Sequence, residues 1–203
     1  MEKHLLNRIA NHLIMNTSFI RDLGLYHGKM GIVIFFAHYA RYTENMIYDD
    51  FAGEVLDEIC TEIHLDTPVN FESGLCGIGW GIEYLLENGF MEGDSNEILS
   101  EIDQRIMELN VKRINDLTLR TGLQGILLYI NKRISPLSKK SHSLFDNHYL
   151  SDIQHTETSM NYFSDNPLFE IINRAHPNNN DIITWKLGLE NGCAGIGLNK
   201  ILK

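Results

Sequence analysis

Glu72 and Glu190 each stand two residues ahead of a glycine that opens an apolar run, in FESGLCGIGW and LENGCAGIGL. Two carboxylates at matching places can share acid–base work. One protonates a leaving oxygen while the other attacks or activates water, which is how glycosidic bonds are cleaved. Theirs is the catalytic pair that the spacing nominates. A plainer account is electrostatic: acids beside a helix N-terminus are favoured by its dipole and by capping, and the chain holds 27 acidic residues. Asp116, ahead of Gly122, is a lesser companion. His27, Trp80, Tyr84 and Arg120 are the candidates to line a ligand pocket. Core packing explains Trp80 and Tyr84 more simply, and an Arg120 paired with Glu72 or Glu190 would weaken the case for catalysis.

These residues sit on a repeat. HGKMGIVIFFAHYA, SGLCGIGWGIEYLL, TGLQGILLYINKRI and NGCAGIGLNKIL each carry Gly-x-x-Gly followed by isoleucine. The leading glycines are Gly28, Gly74, Gly122 and Gly192, spaced 46, 48 and 70 residues apart. One such motif is weak; four in phase, each heading an apolar run, mark a repeated unit. The runs after the glycines are apolar on every side, as in Ile32–Phe36, which predicts buried helices. The intervening segments are one-sided. Residues 51–63 place Phe51, Val55, Ile59 and Ile63 four apart amid acids, and 94–109 do the same with Ile98, Ile102 and Ile106 behind an Asp94/Glu97 capping box. The expected fold is all-α: about four helical hairpins in an α/α toroid-like arrangement, incomplete or reduced, with glycine-headed helices inside. Glycine is expected there because the chain turns sharply and helices approach closely.

The length suits one domain, 1–203, with 134–186 as an irregular insertion region rich in Ser, Asp, Asn and His. Asn166-Pro167 predicts a helix start inside it, and HPNNND reads as a loop. His142, His148 and His155 lack helical spacing. A net charge of −10 argues against nucleic acid and anionic membranes. No stretch is long and apolar enough to span a bilayer, and the N-terminal segment reads as an amphipathic helix. Three scattered cysteines, Cys60, Cys76 and Cys193, suggest reduced thiols and a cytoplasmic protein.

At its four glycine motifs the chain resembles the lanthionine synthetase C-like family, whose members share an α/α toroid of seven hairpins. GLYHGKMGIVIFF resembles the first repeat, SGLCGIGWGIEYLL the second, DLTLRTGLQGILLYI the third and GLENGCAGIGL the last. The resemblance implies a zinc-dependent cyclase site with ligands in Trp-Cys-x-Gly and Cys-His-Gly motifs between the third and last repeats. Neither motif occurs in this sequence. The expectation is a shortened member, four hairpins long, without that site. A zinc could in principle be rebuilt from His27, Cys76 and Cys193, but it needs at least three converging ligands, and a buried free cysteine usually packs as a small hydrophobe. No cofactor is therefore expected.

The functional expectation is a protein that binds a peptide substrate or a peptide-modifying enzyme. A carbohydrate-active enzyme using Glu72 and Glu190 is the alternative. A structural scaffold is the other, with terminal hairpins burying their open sides in a homodimer.

Overall fold

The computed structural model describes residues 2–64, 66–134, 145–157, 166–173 and 181–203. It divides the chain into two compact units, Met1–Asp66 with Asp165–Lys203, and Thr67–Ser164. Among the described residues it is helical with no named strand, the all-α helical-hairpin class that the repeat predicts.

In the first unit, α1 (Glu2–Asn16) buries Leu6, Ile9, Ala10 and Leu13. The stripe is narrower than the sequence suggests, because Ile14 faces solvent. The glycine-headed α2 (Lys29–Thr43) is buried without interruption from Lys29 to Ala37. It pairs with the one-sided α3 (Met46–Glu62), which buries Ala52, Val55 and Ile59. Aromatic contacts join the two: Phe36 meets Phe51 edge-on at 4.7 Å, and Tyr39 meets Tyr48 at 4.6 Å. The second glycine-headed helix, α10 (Cys193–Ile201), packs on α1, α2 and α9 (Pro167–Asn173). Asn166 caps α9 through the Phe169 amide at 3.3 Å, as Asn-Pro predicts.

The second unit holds α4 (Leu75–Glu87) against α7 (Leu123–Ile134), again two glycine-headed helices. The helix expected over 94–109 is two pieces, α5 (Ser95–Ile98) and α6 (Ser100–Met107). The break falls at Leu99, which is fully buried. Ser100 Oγ donates to the Glu97 carbonyl at 2.9 Å, a side-chain bond of the kind that bends helices. Asp94 caps α5 as expected, accepting from the Asn96 amide. In α8 (Asn147–Glu157), Tyr149 donates to the Ile106 carbonyl. Within 134–186, the loop reading of 176–180 and the side chains of His142 and His155 lie outside the described residues.

All four glycine helices begin the same way. The first helical amide bonds to a carbonyl seven residues earlier: Lys29 to Asp22, Leu75 to Pro68, Leu123 to Asp116 and Cys193 to Lys186. In three of them the next amide repeats the step, as Met30 does to Leu23. The preceding loop thus satisfies donors that a helix start leaves orphaned. It also explains the leading glycines, and corrects the expectation that they serve a sharp turn. Gly28, Gly74 and Gly192 have φ of −100°, −120° and −128°, open to any residue. What forbids a side chain is space, because a Cβ would sit under 3.0 Å from backbone of the loop folded over it. Helix contact accounts for Gly79, against the Tyr129 ring, and Gly197, against Phe35.

Two stability effects follow. Asn45 caps α3, accepting from the Ile47 amide at 3.1 Å, so Asn45→Ala should cost about 1 kcal/mol in urea denaturation. Half-buried His38 on α2 is brought down from 6.5 to about 4, first by burial and then by Arg41. Between those values the unfolded chain binds the proton and the folded one does not. Stability is therefore present above about 6.5 and is lost as pH falls toward 4. His38→Gln should remove up to about 3 kcal/mol of that acid sensitivity. Denaturation midpoints that run parallel for parent and variant across this range would reject the assignment.

Candidate functional site

The loops that head the glycine helices are stitched in pairs inside each unit. In the first unit the Glu190 amide donates to the Tyr26 carbonyl at 3.0 Å. Gly188 lies so close to Tyr26 and His27 backbone that a Cβ would meet the His27 Cα at 2.5 Å. This brings His27 Nε2 to 3.4 Å from Glu190 Oε2, both half-buried. In the second unit the Phe71 and Glu72 amides both donate to the Arg120 carbonyl, at 3.0 and 2.9 Å. There Arg120 Nη2 reaches Glu72 Oε1 at 3.4 Å. Each nominated glutamate thus has a basic neighbour placed by the same loop-to-loop bond, two residues ahead of a leading glycine. Arg120 pairs with Glu72, the arrangement that weighs against a free carboxylate nucleophile.

Asp116 is drawn into its own loop. Thr121 Oγ1 donates to it at 2.6 Å and the Thr118 amide at 2.9 Å, and these bonds hold its carboxyl below the usual range. A carboxylate held ionised in this way is suited to capping, not to donating a proton.

Trp80 and Tyr84 are stacked at 5.4 Å, one turn apart on α4. Trp80 is buried, meets Phe71 edge-on, and has Lys132 Nζ over its ring at 5.8 Å. Lys132 in turn pairs with Glu87. The indole belongs to the core of the second unit, and Tyr84 lies at its edge.

The cysteines are poor zinc ligands. Cys76 and Cys193 are both fully buried in the first turns of α4 and α10. Burial, then Asp103, pushes the Cys76 thiol well up, and burial pushes Cys193 up to about 12. A metal-ligating thiol must be deprotonated, and these environments oppose the thiolate. Cys76 belongs to the second unit, while Cys193 and His27 belong to the first. The residues present do not fit the zinc centre that the family resemblance implies.

Two charged clusters escaped the sequence reading. Lys29, a cation in the first turn of a buried helix, reaches Glu58 at 3.0 Å and Glu62 at 3.2 Å. Burial alone would lower its pKa, but the two glutamates outweigh it and the ammonium is held above its ordinary value. In the second unit Arg133, Asp103 and Glu83 form a buried ionic network. Glu83 and Lys29 were legible as lone charges inside apolar helices. Their partners were not.

Taken together, these features define an all-α protein of helical hairpins whose inner helices are seated by glycine loops. The chain belongs to the lanthionine synthetase C-like protein family, which it matches over residues 20–176. The match takes in the first three glycine motifs. The loop at Gly192, beyond it, has the same seven-residue backbone bond and is structurally a fourth member of the set. Neither the curated proteins nor the solved structures contain a match. Among the described residues no helix is long and apolar enough to cross a membrane.

Proposed function

We propose that this family member binds a peptide, or a partner enzyme acting on one, in a peptide-modification pathway, without catalysing zinc-dependent cyclisation. The observation that carries the reading is the state of the motif cysteines. Both are sealed in helix starts as neutral thiols. The sequence has no Trp-Cys-x-Gly or Cys-His-Gly motif to supply others. The charge of −10 favours a ligand with basic residues through long-range attraction.

The test uses the full chain, treated with chelator and then assayed for zinc. A fluorescein-labelled peptide carrying Ser, Thr, Cys and several lysines is titrated against it, with anisotropy as the readout. Saturable binding by the metal-free protein, weakening as salt is raised, is the expected result. Stoichiometric zinc that resists the chelator would overturn the proposal. So would absence of binding until zinc is restored.

A further inference from the structure

A cavity of about 450 Å³ opens in the first unit between α1 and the end of α2. Lys3, Leu6 and Asn7 line one wall, and Tyr39, Tyr42 and Glu44 the other. Its origin is a difference in helix length. Helices α1 and α2 share α10 as a neighbour, with Phe35 of α2 seated on Gly197. From equivalent glycine starts, α2 runs for 15 residues and α10 for 9. Tyr39 and Tyr42 fall past the α10 equivalent, where α2 has no such partner to pack against. The volume lies inside the range of about 300–1,000 Å³ common for small-molecule sites.

The lining has a definite chemistry. Tyr39 and Tyr42 are stacked at 6.4 Å and 20°, and Tyr39 stacks in turn on Phe35 at 5.4 Å. Tyr39 is buried, while Tyr42 is 43% exposed and presents its ring to the opening. Leu6 supplies a fully buried apolar surface opposite. Among the described residues, Lys3 and Glu44 enter no ion pair, and Asn7 and the Tyr42 hydroxyl make no hydrogen bond. One wall thus offers an uncommitted cation, the other an uncommitted anion, with an aromatic stack between. Glu44 is held in place as the left-handed cap of α2, its amide bonded to the Ala40 carbonyl.

We infer that this cavity binds a free aromatic amino acid, its ring on Tyr42, its carboxylate toward Lys3 and its ammonium toward Glu44. A ligand with one charge satisfies one wall and leaves the other unmatched, so the zwitterion is preferred over either half. Offset stacking on a tyrosine already backed by a second and a phenylalanine favours a flat ring over an aliphatic chain.

Calorimetric titration of the full chain with L-tryptophan tests this, alongside tryptamine, which lacks the carboxylate, and indole-3-propionate, which lacks the ammonium. One saturable site is expected, with a dissociation constant of about 1 mM or tighter. Each analogue should bind about tenfold more weakly. Tyr42→Ala should weaken all three ligands. Lys3→Gln should weaken tryptophan and indole-3-propionate but spare tryptamine, and Glu44→Gln should do the reverse. These residues are at the surface, and unchanged circular dichroism would show each variant folded. Absence of saturable tryptophan binding would overturn the inference, as would analogues and variants that match the parent.

Discussion

Replacing Arg133 with alanine is expected to destabilise the second unit by about 3–5 kcal/mol, the cost of stranding a buried charge partner. The guanidinium sits near the end of α7 with 4% of its side chain exposed, and its fork binds Asp103 Oδ2 at 2.6 Å. It also reaches Glu83 at 3.3 Å, Ser95 Oγ at 3.0 Å and Asn96 Oδ1 at 3.2 Å. Tyr129 donates to the same Asp103 at 2.6 Å. One side chain thereby ties α7 to α4, α5 and α6. Without it, the carboxylates of Asp103 and Glu83, with 0% and 3% of their side chains exposed, lose their cation. Burial already raises Glu83, and Arg133 is the largest influence pulling it back. In the variant a carboxylate with a raised pKa contributes most at acid pH and loses that contribution as pH rises, so the deficit should grow between acid and neutral pH. Arg133→Lys should recover only part, because an ammonium cannot make the fork. Urea denaturation of the full chain measures all of this. A loss under about 1 kcal/mol for the alanine variant would show that the network carries little net stability.

Gly74→Ala should cost about 3 kcal/mol or more, the upper end for overpacking against a rigid neighbour. The new methyl would lie at 2.6 Å from the Pro68 carbonyl carbon and 2.9 Å from the Asn70 amide nitrogen, both backbone atoms. Making room means lifting the loop, which breaks the Leu75 and Cys76 amide bonds to Pro68 and Val69. Gly53→Ala provides the contrast. Gly53 is exposed within α3 and its Cβ would meet nothing within 4 Å. That substitution should stabilise by about 0.5–1 kcal/mol through helix propensity alone. Measuring the two side by side separates glycine kept for space from glycine merely tolerated. Equal and small effects would mean that the loops yield easily and that the repeat has another cause.

The glycine motifs were readable because the constraint they meet is local. A loop that bonds back across seven residues leaves its imprint at a constant offset from the helix it seats, and four copies make the offset visible. One-sided helices such as α3 were readable for a similar reason, since a face buried at every turn writes a period into the chain. The break of α5 from α6 at Leu99 was not, because a pattern of isoleucines four apart looks the same through a bend. Trp80 illustrates the limit at the site. Its position on an apolar helix was plain, but whether that face met a pocket or the core depended on where Phe71 and Lys132 came to rest.

Residue order alone specified the helical repeat, the four seats and the absence of the family's metal motifs, since each is a relation between residues near in sequence. Pairing of first loop with fourth and second with third had to await the fold, as did the convergence of Arg133, Asp103 and Glu83 and the opening beside Tyr42. Those join residues tens to more than a hundred positions apart. Which apolar surfaces meet is a matter of shape and helix length, and no local pattern encodes it.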